Sequence, residues 1–436
     1  MISQVLMIIT LFSIWISILM SMIVLFSAVH FWMKNSKRNV VIKKLQRYPL
    51  ITVVVPAHNE EIVIAQTVKS ILDMNYPEEK MELLLYADNC SDNTYQEMNR
   101  VKRIPQYLGR NIKIIDREGT GGKAGVLNDS LKVANGEFIG VYDADAMPEK
   151  NALYFLVDKM LEDEQHHVAT FGRNKTRNAN QNFLTKCINQ EIVVTQRIQH
   201  IGLWHLFKIG RIPGTNFIIN TEFVKKIGGW RNGALTEDTD ISFKIMQGGS
   251  LIALAYNSEA FQQEPETLSS YYLQRKRWAK GNYEVVIANF KHLFDRSSWR
   301  VKLETFYYSC TFFWFNIAIA FSDVIFLANI ITLFFMQFIS NLSLPFTFST
   351  SNIYITQLLL FNWMIMIFLY LLQIGIATAS QFGQTTTKQI WLALASYFTY
   401  TQLFLVVSIS AISSVFMDKI LRRKGNKWIK TKRFND

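Results

Sequence analysis

Cysteine and charge are both scarce in this chain of 436 residues. Its three cysteines, Cys90, Cys187 and Cys310, are too few for a disulfide framework, and none has the spacing of a metal site. Only 18% of the residues are charged, against about 25% in a typical soluble domain. Half of the residues are hydrophobic and 14% are aromatic. This composition excludes a disordered chain, a collagen-like chain and a small disulfide scaffold.

The N-terminal segment is a long apolar run. Val5–Met33 is almost uncharged and exceeds the about 20 residues that a helix needs to cross a bilayer. A cleaved signal peptide would carry its positive charge before a shorter apolar region, and this segment does not. The charge that follows is basic only: Lys34, Lys37, Arg38, Lys43, Lys44 and Arg47. We therefore expect residues 1–33 to be a membrane anchor with its C-terminal end in the cytoplasm.

Three more apolar stretches follow near the other end: Thr305–Ile339, Ile353–Ala379 and Ile390–Met417. We assign residues 305–417 to C-terminal transmembrane helices and 418–436 to a basic cytoplasmic tail, in a multi-pass protein of the plasma membrane. Three crossings would leave that tail outside. Either the first stretch forms a hairpin, broken at Ser322-Asp323, or one stretch lies along the membrane surface.

Residues 34–304 hold most of the charge and alternate between strands and helices. Such alternation predicts an α/β domain with a mostly parallel sheet that is covered on both faces. Ligands of these sheets bind beyond the carboxyl ends of the strands. The predicted strands are Leu50–Ala57, Glu82–Asp88, Asn111–Asp116 and Glu137–Tyr142, and the predicted helices are Glu60–Asp73, Asp92–Lys102 and Lys123–Ala134.

Polar side chains follow the first two strands, and a glycine-rich segment follows the third. His58 and Glu60 come after the first strand and Asp88 ends the second, where a carboxylate can accept hydrogen bonds from a base or ribose. Glycines at 119–125 let the backbone approach a phosphate, and Lys123 adds a positive charge. Helix capping and an ordinary flexible loop are the alternative interpretations.

Two acidic motifs come next. Asp143 and Asp145 follow the fourth strand one residue apart, a pattern that suits a hard divalent cation bridging a diphosphate. Glu237 and Asp238 precede a predicted helix, where an acid could act as base toward an attacking hydroxyl or could simply cap the helix.

The last motif lies on a predicted helix. Gln274 and Trp278 share one face, and Arg277 projects to one side. An indole is a natural platform for a sugar ring, and an arginine offsets the charge of a leaving diphosphate. A basic patch beside the membrane is the alternative for Arg275, Lys276 and Arg277.

The order of a separate Asp, D-x-D, T-E-D and Q-x-x-R-W resembles the membrane-embedded, processive family-two glycosyltransferases. This group includes the bacterial cellulose, hyaluronan and poly-N-acetylglucosamine synthases, and the chain's layout is most similar to the last of these. The motifs span about residues 50–285, and the resemblance implies a GT-A fold for 34–304. It implies inverting transfer from a UDP-sugar, UDP-N-acetylglucosamine above all, to a growing β-linked glycan.

The resemblance also implies a role for each residue. Asp238 is the expected base with Glu237 beside it, and Asp145, with Asp143, is expected to hold Mg²⁺ or Mn²⁺. Gln274 and Trp278 are expected to bind the acceptor. The expected nucleotide-sugar contacts are His58, Glu60, Asp88, Lys123, Asp143 and Arg277. The implied partners are the donor, the growing glycan and membrane lipids, with an accessory membrane subunit left open and no nucleic acid.

Three alternatives stay open at this point. His58 stands where tyrosine is common, and Ala87-Asp88-Asn89-Cys90 replaces the usual paired acids. A similar residue pattern also occurs in relatives that add a single sugar to a lipid. A non-enzymatic nucleotide sensor would not need Asp238. Finally, the helical pattern of Asn182–Phe207 fits either a helix on the bilayer surface, with Lys186 and Arg197 reaching headgroups, or a core helix.

Overall fold

The computed structural model describes residues 2–35, 42–314 and 353–421, together with 316, 331, 334 and 335. The strands are β1 (Ile51–Ala57), β2 (Met81–Asp88), β3 (Ile112–Arg117), β4 (Phe138–Val141), β5 (Met147–Pro148), β6 (His167–Thr176), β7 (Phe217–Asn220) and β8 (Leu251–Gln262). The helices before residue 200 are α1 (Ile2–Asn35), α2 (Ile64–Leu72), α3 (Thr94–Lys102), α4 (Gly122–Val133), α5 (Ala152–Leu161) and α6 (Phe183–Val194). Those after it are α7 (Ile201–Phe207), α8 (Thr221–Lys226), α9 (Glu237–Gln247), α10 (Leu268–Asn289), α11 (Trp299–Ser309), α12 (Ile353–Phe382), α13 (Thr387–Phe398) and α14 (Tyr400–Ile420).

The eight strands form one sheet in the order β3-β2-β1-β4-β7-β6-β8-β5. The first four strands pair in parallel, and β7 is antiparallel to both of its neighbours. Each predicted strand and helix of residues 50–142 is present, with ends that move by no more than a few residues. The predicted α/β fold is thus confirmed, and the carboxyl ends of β1, β2 and β4 meet at one edge of the sheet.

Hydrophobic cores cover both faces of the sheet. Because successive side chains of a strand point to opposite faces, Val53 and Val55 pack against α2 and α5, while Val54 packs on the other side. That second core includes Val24 and Ala28 of α1, so the N-terminal helix is part of the packed domain.

Within the described residues, three helical segments are long and apolar enough to cross a membrane: Leu11–Asn35, Phe361–Phe382 and Thr387–Ile420. They correspond to three of the four predicted stretches. The remaining stretch, 305–339, lies mostly outside the described residues, as do residues 422–436 of the basic tail.

The stretch predicted as Ile390–Met417 is two helices. The backbone leaves the helical conformation at Thr399, with φ −124° and ψ −70°, between α13 and α14. Aromatic and β-branched residues crowd this point and have poor helix propensity. At 12 residues α13 is too short to span a bilayer.

Helix α14 packs along α10 of the α/β domain. The Tyr272 hydroxyl lies 2.6 Å from Ser410 Oγ, and Lys280 Nζ lies 2.6 Å from Asp418 Oδ2, eight residues farther along both helices. The opposite side of α14 exposes Ile409 to 60%. This helix therefore presents one face to the domain and one apolar face outward.

The segment predicted as Asn182–Phe207 is helical throughout, with a π-helical turn at Thr195–His200 between α6 and α7. Of the two alternatives for this segment, the structure favours a packed helix, because the Arg197 side chain is buried against α1 and α12. Lys186 is exposed as expected. Helices α1 and α12 therefore cover part of the polar face that the periodicity predicted.

Candidate functional site

One cavity of about 970 Å³ lies at the carboxyl edge of the sheet. Every site residue marked in the sequence lines it: His58, Glu60, Asp88, Lys123, Asp143, Asp145, Glu237, Asp238, Gln274, Arg277 and Trp278. These side chains come from positions up to 220 apart in the chain, and the sheet topology brings them together.

Asp88 lies at the end of β2, where it is held by an arginine that sequence reasoning missed. Arg117 Nη1, at the end of β3, donates to Asp88 Oδ1 over 2.5 Å. His58 Nδ1 lies 2.7 Å from the carbonyl oxygen of Asp88, so the β1 and β2 ends are joined. The sequence could have predicted this contact, because Arg117 ends the strand that follows β2 and pairs with it in parallel.

The glycine-rich segment forms the start of α4. Gly121 takes φ +88°, a conformation that favours glycine, and Gly121, Gly122 and Lys123 all line the cavity. The first N–H groups of a helix and its dipole favour an anion at this position. The loop thus offers the N-terminus of α4 to an anion in the cavity.

Lys123 connects the two acidic motifs. Its Nζ lies 2.6 Å from Asp143 Oδ1 and 3.3 Å from Glu237 Oε1, and it donates to the Gly214 carbonyl over 2.7 Å. Burial lowers the pKa of Lys123, but Asp143 and Glu237 outweigh burial, and the net direction is upward. The ammonium is therefore a fixed positive charge between the motifs.

Asp238 is a half-buried acid of the cavity wall. Its Oδ1 accepts the Thr239 N–H over 2.7 Å in the first turn of α9. Burial, and second the neighbouring Glu237, raises the pKa of Asp238 to about 7. A carboxylate with this pKa can take a proton near neutral pH.

Gly214 is a further residue that the motifs did not reveal. It has φ +84°, and a Cβ at this position would lie 3.1 Å from Asp238 Oδ2 and 3.6 Å from Lys123 Nζ. The loop before β7 therefore packs directly on Asp238 and Lys123.

This environment predicts a pH-dependent activity. If Asp238 acts as the carboxylate, kcat/KM should rise about tenfold between pH 6 and pH 8, because the base form increases through a pKa near 7. A Glu237→Gln variant, which lacks the neighbouring negative charge, should move this rise to lower pH. Initial rates across this range are the measurement, and a flat profile would contradict the assignment.

Asp143 and Asp145 fit a divalent cation that is shared with a substrate. Both line the cavity after β4, Asp145 is 4% exposed, and the Asp143 N–H donates to Thr215 Oγ1 over 2.9 Å. No group of three or more His, Cys, Asp or Glu side chains converges as a metal cage among the described residues. Mg²⁺ typically takes one or two carboxylates and completes its shell with phosphate and water, so two are sufficient.

Helix α10 forms the other wall of the cavity. Gln274 is buried, Arg277 and Trp278 line the cavity, and the Arg275 guanidinium lies 4.5 Å from the centre of the Trp278 ring. Arg275 Nη1 also pairs with Glu191 Oε1 at 3.0 Å. The basic-patch alternative is therefore wrong for Arg275, which is paired and packed inside the protein.

Three aromatic side chains of the apolar stretch that begins at residue 305, Tyr307, Tyr308 and Phe312, also line the cavity. Arg211 stacks on Tyr307 and Tyr308, at 4.8 and 4.4 Å, and pairs with Glu304. The cavity lining thus combines charged and aromatic side chains.

Comparison with known proteins agrees with this geometry. Residues 49–281 match the sequence model of the family described as "Glycosyltransferase like family 2". A probable glycosyltransferase of Bacillus subtilis, YdaM, is 31% identical over 393 residues, which are 90% of this chain and 89% of that protein.

Two further relatives carry more specific names. A beta-monoglucosyldiacylglycerol synthase of Synechocystis is 27% identical over 59% of this chain. A poly-beta-1,6-N-acetyl-D-glucosamine synthase of Staphylococcus aureus is 26% identical, also over 59% of this chain. The matches span only 53% and 59% of these two relatives, respectively.

Among solved structures, a mannosyltransferase of Pyrobaculum calidifontis, in complex with GDP-mannose and Mn²⁺, has a TM-score of 0.59. It is 17% identical, and the match covers 95% of this chain and 99% of that one. At this identity the likeness supports the fold, which is GT-A. Since the family match covers more than half of the chain and includes every motif of the cavity, this protein is a family-2 glycosyltransferase.

Proposed function

We propose that this enzyme transfers a sugar, N-acetylglucosamine above all, from its UDP-sugar to a growing β-linked glycan with inversion. The single observation that carries the proposal is the shared cavity, which brings His58, Glu60 and Asp88 together with the two acidic motifs and with the Q-x-x-R-W motif of α10. The names of two relatives support sugar transfer but differ in product: one is a synthase of a glucosyl lipid and the other a synthase of poly-N-acetylglucosamine.

The donor lies along the carboxyl edge of the sheet in this proposal. His58, Glu60 and Asp88 contact the nucleoside, and the N-terminus of α4 with Lys123 faces the diphosphate. Asp145 and Asp143 would hold Mg²⁺ or Mn²⁺, which supplies positive charge to the diphosphate when bound. The fixed distance of 2.6 Å between Lys123 and Asp143 keeps both groups in position before the donor arrives.

The chemical step is a displacement at the anomeric carbon. A hydroxyl of the acceptor attacks, its proton passes to a carboxylate oxygen of Asp238, and the bond to the diphosphate breaks. The leaving UDP takes the electron pair, and Arg277 and Lys123 offset the charge that develops. An α-linked donor gives a β-linked product because attack and departure occur on opposite faces.

The acceptor distinguishes two candidate functions, polymer synthesis and transfer of one sugar to a lipid. A polymerising enzyme would keep the terminal sugar of the glycan on Trp278 and Gln274 and export the chain through its membrane helices. The aromatic lining at Tyr307, Tyr308 and Phe312 favours a second candidate, in which a lipid headgroup receives one sugar. Both candidates use the same donor site and base.

The proposed location is the plasma membrane, with the catalytic domain in the cytoplasm. Helices α1 and α12 run parallel, since Ile18 packs on Leu369 and Gln373 donates to Ser21, and their C-terminal ends both contact Arg197. In this topology α1 and α12 both end at the cytoplasmic side, and α13 and α14 lie on the cytoplasmic surface. The basic tail then stays in the cytoplasm. This favours the alternative in which one C-terminal apolar stretch lies along the membrane surface over a hairpin in the first stretch.

The experiment is a donor panel with product sizing. Membranes containing the enzyme are incubated with radiolabelled UDP-glucose, UDP-N-acetylglucosamine and UDP-galactose, and the products are separated by size. A ladder from UDP-N-acetylglucosamine is expected. A product of one sugar on a lipid would support the second candidate and contradict processive synthesis.

Trp278 provides a prediction that separates acceptor binding from membrane anchoring. Trp278→Ala should abolish or shorten the product, because the acceptor sugar loses its aromatic platform, while slow release of free sugar from the donor continues. The matched control is Trp299→Ala, since Trp299 is 54% exposed on α11. Product length per folded enzyme is measured, and an unchanged length with the Trp278 variant would overturn the acceptor role.

A further inference from the structure

Arg197 is a buried cation whose charge is not balanced by the side chains around it. It is 7% exposed, its Nε donates to Gln381 Oε1 over 2.5 Å, and its guanidinium lies 4.8 Å from the Trp32 ring. Among the residues that the structure describes, no carboxylate lies within ion-pair distance of Arg197. Its two terminal nitrogens have no hydrogen-bond partner there and keep some surface exposure.

The neighbouring charges do not compensate for Arg197. Arg173 Nη1 donates to the same Gln381 Oε1 over 2.8 Å, while Glu259 is shared between Arg173 and Lys175. Burial, and second the nearby Arg173, lowers the pKa of Arg197 to about 8. An arginine does not give up its proton in proteins, so the cation stays charged although no carboxylate pairs with it in the described residues.

The C-terminal dipole of α12 supplies only part of the missing charge. A helix end is equivalent to about half a negative charge and is screened beyond the last turn. A buried cation is normally paired in full, as Arg211 is with Glu304. One negative group is therefore still required.

The location indicates which negative group this is. Trp32 is in the last turn of α1 and Gln381 in the last turn of α12, two helices that are long and apolar enough to span a bilayer. Phospholipid headgroups lie at the ends of such helices, and basic pockets between helix ends bind anionic ones. We propose that Arg197 binds the phosphate of an anionic phospholipid between the ends of α1 and α12.

This site is separate from the catalytic cavity but shares a helical turn with it. Gln196 and Gln199 of the π-helical turn line the cavity, whereas Arg197 points away toward α1 and α12. π-Helical turns are frequent at functional sites. A lipid bound to Arg197 thus stabilises the position of the π-helical turn that forms part of the cavity wall. This effect does not depend on which sugar the enzyme transfers.

The test compares the full-length protein in detergent micelles with three additions at equal phosphate concentration: dioleoylphosphatidylglycerol, dioleoylphosphatidylcholine and inorganic phosphate. Phosphatidylglycerol is expected to raise the Tm by about 4 °C or more at saturation. An equal rise with phosphatidylcholine would overturn recognition of the anionic headgroup. An equal rise with inorganic phosphate would assign the site to a free anion.

Three variants make the test specific. Gln381→Glu places a permanent carboxylate beside both arginines, so it should raise the Tm without lipid and abolish the response to phosphatidylglycerol. Lys186→Gln removes one exposed positive charge from α6 and should leave the response unchanged. A full response in Gln381→Glu would overturn the proposal. Arg197→Gln should also lose the response to phosphatidylglycerol. If Arg197→Gln does not fold, the result with Gln381→Glu tests the proposal alone.

Discussion

Replacement of Asp238 by Asn is expected to lower the rate of sugar transfer by about 10²-fold or more, the usual scale for a lost general base. Asn has nearly the same size but cannot take the proton of the acceptor hydroxyl. Because Asp238 lies beside Glu237 and Lys123, loss of its charge should leave the domain folded. UDP binding should change little, since the base faces the acceptor and not the nucleoside.

A neighbouring residue provides a matched control for this variant. Asp240→Asn makes the same change two residues along α9, where Asp240 pairs with Arg231 and Lys244 and does not line the cavity. Its transfer rate should stay within about twofold of wild type. If Asp238→Asn keeps more than about half of the activity, a different acid is the base.

Removal of Asp145 should abolish transfer through loss of the cation at the diphosphate. We expect Asp145→Ala to be inactive at normal abundance, and chelation of the wild-type enzyme to stop transfer until Mg²⁺ or Mn²⁺ is restored. The physical reason is that the leaving diphosphate carries its charge within a buried region, where Lys123 is already engaged by two acids.

The control for Asp145 is Asp116→Ala. Asp116 is exposed on β3 and lies outside the cavity, so its removal should not change transfer or the response to metal. Rates are measured with labelled donor over a series of metal concentrations. Full turnover in excess chelator would exclude a required cation.

Local sequence patterns predicted the first half of the fold well. The runs that became β1, β2 and β4 are short and apolar, and each ends at polar residues, so both the strands and the edge that they share followed from periodicity. The motif residues Asp88, Asp143 and Asp238 were found for the same reason, since each follows a strand or begins a helix.

The missing parts depend on contacts between distant segments. Lys123 pairs with Asp143 and Glu237, which lie 20 and 114 positions away, and no local period encodes such a pairing. A basic patch stayed an alternative for Arg275 because its partner Glu191 is on another helix. The choice between a surface helix and a core helix around Arg197 stayed open because α1 and α12, which cover it, are remote in sequence.

The anomeric configuration of the product tests the central claim most directly. The donor carries its sugar in the α configuration, and a single displacement with Asp238 as base yields a β linkage. The measurement is the proton–proton coupling of the new anomeric centre by NMR, on product made by purified enzyme from the UDP-sugar that it accepts. A β-linked product is predicted. An α-linked product would contradict the inverting mechanism and, with it, the role assigned to Asp238.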